Sequence, residues 1–162
     1  MILYHGTNKA FDTIDLTKSK PNKDFGQGFY LSREYSQAME MAKTKFTQIK
    51  SGFPTVMTFE ADEEQMNQLK VLRFDAYTFE WAQFILMNRN NDSGKPMHDY
   101  DIVYGPIAND RVGVQLWKFE NHMIDMETFE RNLHRMEGIT FQYFFGTERA
   151  IKLLQRYTPR WH

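Results

Sequence analysis

Tyr4-His5-Gly6-Thr7 and, after a lysine-rich interval, Asp24-Phe25-Gly26-Gln27-Gly28-Phe29-Tyr30-Leu31-Ser32 are the two stretches on which the reading of this chain turns. Each sets a polar or aromatic side chain beside glycine at what reads as a strand end, a pairing that suits a cleft better than a core. A histidine next to glycine offers ring hydrogen bonds where bare backbone can come close to a ligand. A tyrosine between apolar strand residues offers a flat face for stacking. The competing reading makes His5 a satisfied strand-end histidine and Tyr30 an ordinary core aromatic.

Outward from these stretches, strand and helix signals alternate, with no internal repeat and no low-complexity run. Ile2 to His5 and Gly28 to Leu31 read as short strands, and Ser32 is placed to cap a helix running to about Ile49. Tyr35, Ala38, Ala42, Phe46 and Ile49 recur on one face of that helix, and Ser51-Gly52-Phe53-Pro54 stops it. Thr55 to Glu60 and Val71 to Phe74 read as strands. Tyr77, Trp81, Phe84 and Ile85 mark a second helix that ends near Asn88 to Asn91.

Tyr100 to Gly105 reads as a buried strand leading into a loop at Gly105-Pro106-Ile107-Ala108-Asn109-Asp110. Asp125 caps a helix bearing Met126, Phe129, Leu133 and Met136, and Ile139 to Phe145 is expected to be the last strand. Thr147 should then open a closing helix that buries Ile151, Leu154 and Tyr157. The elements interleave without strict βαβ order, which predicts an α+β fold with largely antiparallel pairing.

Composition agrees with one globular domain over residues 1–162: hydrophobic residues make up 41% and aromatics 15%. A chain of this size buries roughly 68–70% of its unfolded surface, enough to fold without disulfide or metal. There is no cysteine, which fits a reducing, cytoplasmic setting. Met1-Ile2-Leu3-Tyr4 is too short and lacks the basic flank of a signal peptide, and no apolar run is long enough for a membrane.

With 20 basic against 21 acidic residues, the chain lacks the general attraction that drives binding to nucleic-acid backbones. Lys9, Lys18, Lys20 and Lys23 nonetheless crowd the interval between the opening stretches. That loop is either simply solvated or meets a phosphate-bearing ligand and closes over it. His98, His122, His134 and His162 show no metal-ligand spacing, so no metal is expected. Ten methionines read as adaptable core.

Tyr4 to Thr7, Asp24 to Ser32 and the run Asp101-Ile102-Val103-Tyr104-Gly105-Pro106-Ile107-Ala108-Asn109-Asp110-Arg111 together resemble an uncharacterised bacterial family of the ADP-ribosyltransferase superfamily. The likeness spans nearly the whole chain in order. It is nearest to the branch whose signature is histidine, tyrosine and glutamate. The resemblance implies a split β-sandwich of two small sheets, mostly antiparallel, with flanking helices and an NAD cleft.

Carried over by motif, His5 hydrogen-bonds the adenosine ribose, Gly6 clamps the nicotinamide amide through its backbone, and Tyr30 stacks on the nicotinamide ring. Thr7, Gly28 and Asn109 join these as expected NAD contacts, and His5, Tyr30 and Gln142 are the expected catalytic set. Gln142 stands where the branch places glutamate. Bond cleavage builds positive charge on the ribose, which a carboxylate stabilises and an amide does not; such a loss is worth on the order of 10²–10³ in rate.

Glu148, Asp110 and Glu60 are candidate replacements, although Glu148 also suits a helix N-terminus. The implied activity is NAD-dependent mono-ADP-ribosyl transfer to a protein or nucleic acid, with a toxin countered by an antitoxin as one role. A catalytically silent NAD-binding or interaction module is the alternative. Kinship with tRNA 2′-phosphotransferases fits less well, because those enzymes gather arginines around the cleft. Asn109 and Asp110 alternatively shape a turn, and Gln142 alternatively faces outward from a strand.

Overall fold

The structure is a computed structural model and describes residues 1–157. Among the described residues seven strands form two sheets: β1 (Ile2–Thr7), β3 (Thr55–Glu60) and β7 (Gln155–Arg156) make the first, in the order β1-β3-β7. The second holds β2 (Phe29–Leu31), β6 (Phe141–Phe145), β5 (Ile102–Pro106) and β4 (Val71–Arg73), in the order β2-β6-β5-β4. Every neighbour pair is antiparallel except β4 with β5. The helices are α1 (Tyr35–Ile49), α2 (Glu63–Asn67), α3 (Phe79–Arg89), α4 (Asp110–Glu120), α5 (Met126–His134) and α6 (Glu148–Ile151). This is the expected α+β arrangement, a split sandwich with flanking helices.

Strand alternation sorts the side chains into two cores. Leu3, Met57 and Phe59 of the first sheet pack with Phe29, Leu31, Ile102, Tyr143 and Phe145 of the second. Val103 and Phe144 point to the other face of the second sheet. There they meet Phe25, Trp81, Ile85, Val112, Leu116, Phe129 and Leu133 from the helices and the loop before β2. Trp81 and Phe84 are therefore core, as read; the indole N–H of Trp81 donates to the Pro106 carbonyl at 3.0 Å and holds the end of β5.

α1 lies across β1. An added Cβ on Gly6 would come within 2.0 Å of the Ala38 carbonyl oxygen and 2.8 Å of the Ala42 nitrogen, so the helix sits directly on the strand. Only Ala38 and Ala42 of the expected apolar face are buried; Tyr35 is 53% and Ile49 51% exposed. Ser32 does not cap α1. Its backbone pairs with Tyr4, its hydroxyl accepts from the Glu34 amide at 3.0 Å, and Glu34 takes the N-cap position without a side-chain bond.

The C-terminal part departs furthest from expectation. The residues after Asn109 are a helix and not merely a loop, since the Asn109 side chain accepts from the Val112 amide at 2.9 Å and starts α4. Thr147 caps α6 as expected, but that helix is a single turn. The chain then extends into β7, so Phe145 does not end the last strand. Leu154 is half-buried and Tyr157 is exposed, contrary to the buried positions expected of them. Among the described residues no helix is long and apolar enough to cross a membrane.

Candidate functional site

The two sheets are joined by backbone pairing at one point: Tyr4 and Ser32 exchange both hydrogen bonds, at 2.7 and 2.8 Å, and among the described residues no further bridge joins β1 to β2. Because Tyr4 turns its N–H and C=O toward β2, Gly6, two residues on, does the same. Extended by that register, the pairing would set Gly6 opposite Tyr30. The strands splay there instead, and the Tyr30 carbonyl accepts from His5 Nδ1 at 2.7 Å. The imidazole has taken the place the Gly6 N–H would fill, and among the described residues Gly6 has no backbone partner across the gap.

His5 lies stacked on Phe29, ring centroids 4.1 Å apart, with Phe11 edge-on at 5.9 Å. A carbonyl can only accept, so Nδ1 carries the proton and Nε2 presents a lone pair. Desolvation by these rings lowers the His5 pKa to about 4, against the opposing pull of the Tyr30 carbonyl and helped by the charges of Lys45 and Lys23. His5 is thus neutral at physiological pH, an acceptor at Nε2.

The stability consequence has a definite sign. Between pH 6.5 and about 4 the unfolded chain binds the proton and the folded one does not, so stability rises with pH through this window and falls on acidification. At about 1.4 kcal/mol per pKa unit, His5 accounts for at most about 3 kcal/mol of that fall. His98, also lowered chiefly by burial, acts in the same direction. Urea midpoints measured from pH 7.5 to 4.5 are expected to decline less steeply in His5→Leu than in the wild type; parallel curves would contradict a buried neutral His5.

Tyr30 points to the opposite face of the second sheet, beside its cross-strand neighbour Phe144. Its hydroxyl donates to the Gly26 carbonyl at 2.6 Å and accepts from the Phe25 amide at 3.0 Å. Burial pushes the phenol well above its ordinary pKa, which keeps it a donor. Tyr30 therefore pins the loop that precedes its own strand, and Lys23 Nζ lies 5.4 Å from the ring centroid.

The remaining expected contacts serve the scaffold in visible ways. Gly28 makes room for Phe144, whose ring an added Cβ would approach to 2.3 Å, and its N–H donates to Ser19 Oγ at 3.2 Å. Thr7 is buried, and its hydroxyl donates to the Lys9 carbonyl at 3.2 Å. Asn109 caps α4 with its carbonyl oxygen. Gln142 lies within β6 opposite Gly105 and, by strand alternation, shares the face of Phe144 and Tyr30 and not that of His5. Among the described residues its side chain has no hydrogen bond to either.

The candidate acids are scattered: Glu60 ends β3, Asp110 begins α4, and Glu148 begins α6. Glu148 lines a cleft of about 290 Å³ with Phe11, Met57, Phe59, Lys152 and Arg156. Met57 is the cross-strand partner of His5, and Phe11 its edge-on neighbour, so this cleft adjoins the histidine. His98 is structural. Its Nε2–H donates to the Phe25 carbonyl at 2.7 Å while Nδ1 accepts from the Tyr100 amide at 3.1 Å, tying the Phe25 loop to the approach to β5. No group of metal-ligating side chains occurs among the described residues, and His162 lies outside them.

The sequence reading missed Lys45 on α1, whose charge bears on His5. Its signal was helical spacing from Ala42, which marks the face of α1 turned toward β1. No curated protein matches the chain. A family model does, over residues 1–156, and the chain therefore belongs to the family described as protein of unknown function (DUF3990).

Proposed function

We propose that this protein is an NAD-dependent mono-ADP-ribosyltransferase. The observation that carries the reading is the exchange at the sheet junction: the His5 ring occupies the Tyr30 carbonyl and leaves the Gly6 N–H and C=O facing the gap. A free donor and acceptor on one residue complement a primary carboxamide such as that of nicotinamide. Beside them, neutral His5 offers Nε2 to a ribose hydroxyl, and Tyr30 supplies an aromatic wall once Lys23 moves or engages the ligand.

In the transfer, the bond between ribose C1′ and nicotinamide breaks with its electron pair leaving on nicotinamide. The acceptor's lone pair closes the new bond at C1′ and the acceptor gives up one proton. Gln142 can hydrogen-bond a ribose hydroxyl but brings no charge to the developing cation, which makes for slow turnover. The acceptor is a protein or nucleic acid, and growth arrest by a cytoplasmic toxin held by an antitoxin is the role that a small module of this kind suits.

A second reading, an NAD-binding module without turnover, is favoured by one observation. Glu60, Asp110 and Glu148 make no hydrogen bond to His5, Tyr30 or Gln142 among the described residues, so none of the three candidate acids stands in for the missing one. Nicotinamide release and label transfer from adenylate-labelled NAD decide between the two. His5→Ala is expected to lower release at least about 100-fold while the circular dichroism spectrum is kept, and Gln142→Glu to raise it. NAD-dependent thermal stabilisation without release would select the silent module; equal release by wild type and His5→Ala would defeat the transferase reading.

A further inference from the structure

Two lysines on different elements bear on the gap. Lys23 lies in the loop before Gly26, and Lys45 follows Ala38 and Ala42 at helical spacing, on the face of α1 that covers Gly6. The sites of both converge on His5, whose charged form each disfavours. Among the described residues no carboxylate lies within 4.0 Å of either ammonium, whereas Lys43 and Lys70 have acidic partners. Asp24, the nearest acid in sequence to Lys23, is engaged by Arg89 at 2.7 Å.

Partial desolvation holds the pKa of both lysines below the ordinary value, and at Lys23 the repulsion of Lys45 and Lys20 adds to it against a smaller pull from Asp24. Although Lys23 is exposed over much of its surface, its ammonium leans over the Tyr30 ring. Cations gathered around a gap, partly dried and without a carboxylate in direct contact, are disfavoured in the empty protein and relieved by an anion. Each ammonium brings three donors, a match for phosphate oxygens.

We propose that Lys23 and Lys45 form a receptor for the diphosphate of a nucleotide that enters the gap between β1 and β2 at Gly6. The inference builds on the transferase reading by assigning the charged middle of its substrate to particular residues, yet it stands on the lysines alone. Lys9 and Lys18, in the same basic interval of sequence, are not part of the receptor. Lys23 then has two positions: over the Tyr30 ring in the empty protein, and on phosphate when a ligand uncovers that ring.

Calorimetric titration with ADP, inorganic pyrophosphate and nicotinamide riboside tests this on the full chain. ADP is expected to bind, with affinity falling about tenfold in Lys23→Met or Lys45→Met and about 100-fold in the double variant. Lys→Arg at either position should hold affinity within about threefold, and Lys9→Met and Lys18→Met should match the wild type. Nicotinamide riboside, without phosphate, should be indifferent to all of these changes.

ADP bound far more tightly than pyrophosphate identifies a nucleotide as the natural ligand; equal affinities identify free diphosphate and overturn the nucleotide assignment. No binding of either by the wild type, or equal losses in the Lys9 and Lys18 variants, overturns the receptor. The two readings fail separately. ADP binding that depends on Lys23 and Lys45 without nicotinamide release from NAD defeats the transferase alone, and release with an unchanged KM in the double variant defeats the receptor alone.

Discussion

Gly6→Ala is expected to lower folding stability by about 3 kcal/mol or more, read as a fall in the urea midpoint with the slope preserved. The added methyl would lie 2.0 Å from the Ala38 carbonyl oxygen and 2.8 Å from the Ala42 nitrogen, both backbone atoms that no rotamer change can move. Relief requires α1 to lift from β1, and that uncovers Ala38 and Ala42. Gly113→Ala provides the contrast. It lies inside α4 with nothing within 4 Å of its built Cβ, so alanine there should add about 0.5–1 kcal/mol through helix propensity. An unchanged midpoint in Gly6→Ala would mean that α1 is not seated on β1.

Asp101→Ala is the second large effect, expected at about 3 kcal/mol. The Asp101 carboxylate is fully buried just before β5, and accepts from the Lys70 amide at 2.9 Å, Thr147 Oγ1 at 2.6 Å and Arg149 Nε at 2.8 Å. Burial alone would raise its pKa. The bonds from Arg149, Thr147 and Lys70 outweigh that and hold it below the ordinary carboxylate value, so Asp101 is charged and fully engaged.

Removing it strands the Lys70 amide and the Thr147 hydroxyl and unties the start of β4 from the cap of α6. Arg149→Ala deletes a partner that is itself 66% exposed and should cost much less. Thermal or urea unfolding of the two variants side by side checks the ranking; equal losses would show that the arginine, and not the buried acid, organises this corner.

How much of this could be read in the sequence depended on whether a local signal met a competing one. β3 matches its expected bounds because Thr55 to Glu60 alternates cleanly between two sheet neighbours. α3 was legible from Trp81, Phe84 and Ile85, all buried. α4 was hidden behind Gly-Pro and two Asx residues. Its pattern of Val112, Leu116 and Phe119 was present, but Gly113 and the exposed Val114 and Trp117 blurred it. The end of the chain misled because Thr147 is a real cap on a helix only one turn long.

At the candidate site, strand ends near glycine singled out His5 and Tyr30 in the sequence, and the two do meet. That the ring of one bonds the backbone carbonyl of the other was not legible, since it follows from where two sheets diverge. Lys45 lay out of reach for the same reason: only the packing of α1 on Gly6 brings its charge to His5.

The junction also governs how the chain can change length. Tyr4 is paired with Thr58 on one side and Ser32 on the other, so β1 is indexed against both sheets at once. Gaining or losing one residue between Leu3 and His5 would turn one of the two outward and put β1 out of step with one of its neighbours. The interval from residue 8 to 23, ahead of the loop that Tyr30 pins, carries no such double index and can absorb insertions at little entropic cost. Divergence among relatives should therefore collect in the interval that bears Lys23, leaving the gap's geometry constant while its charge, and with it the choice of ligand, drifts.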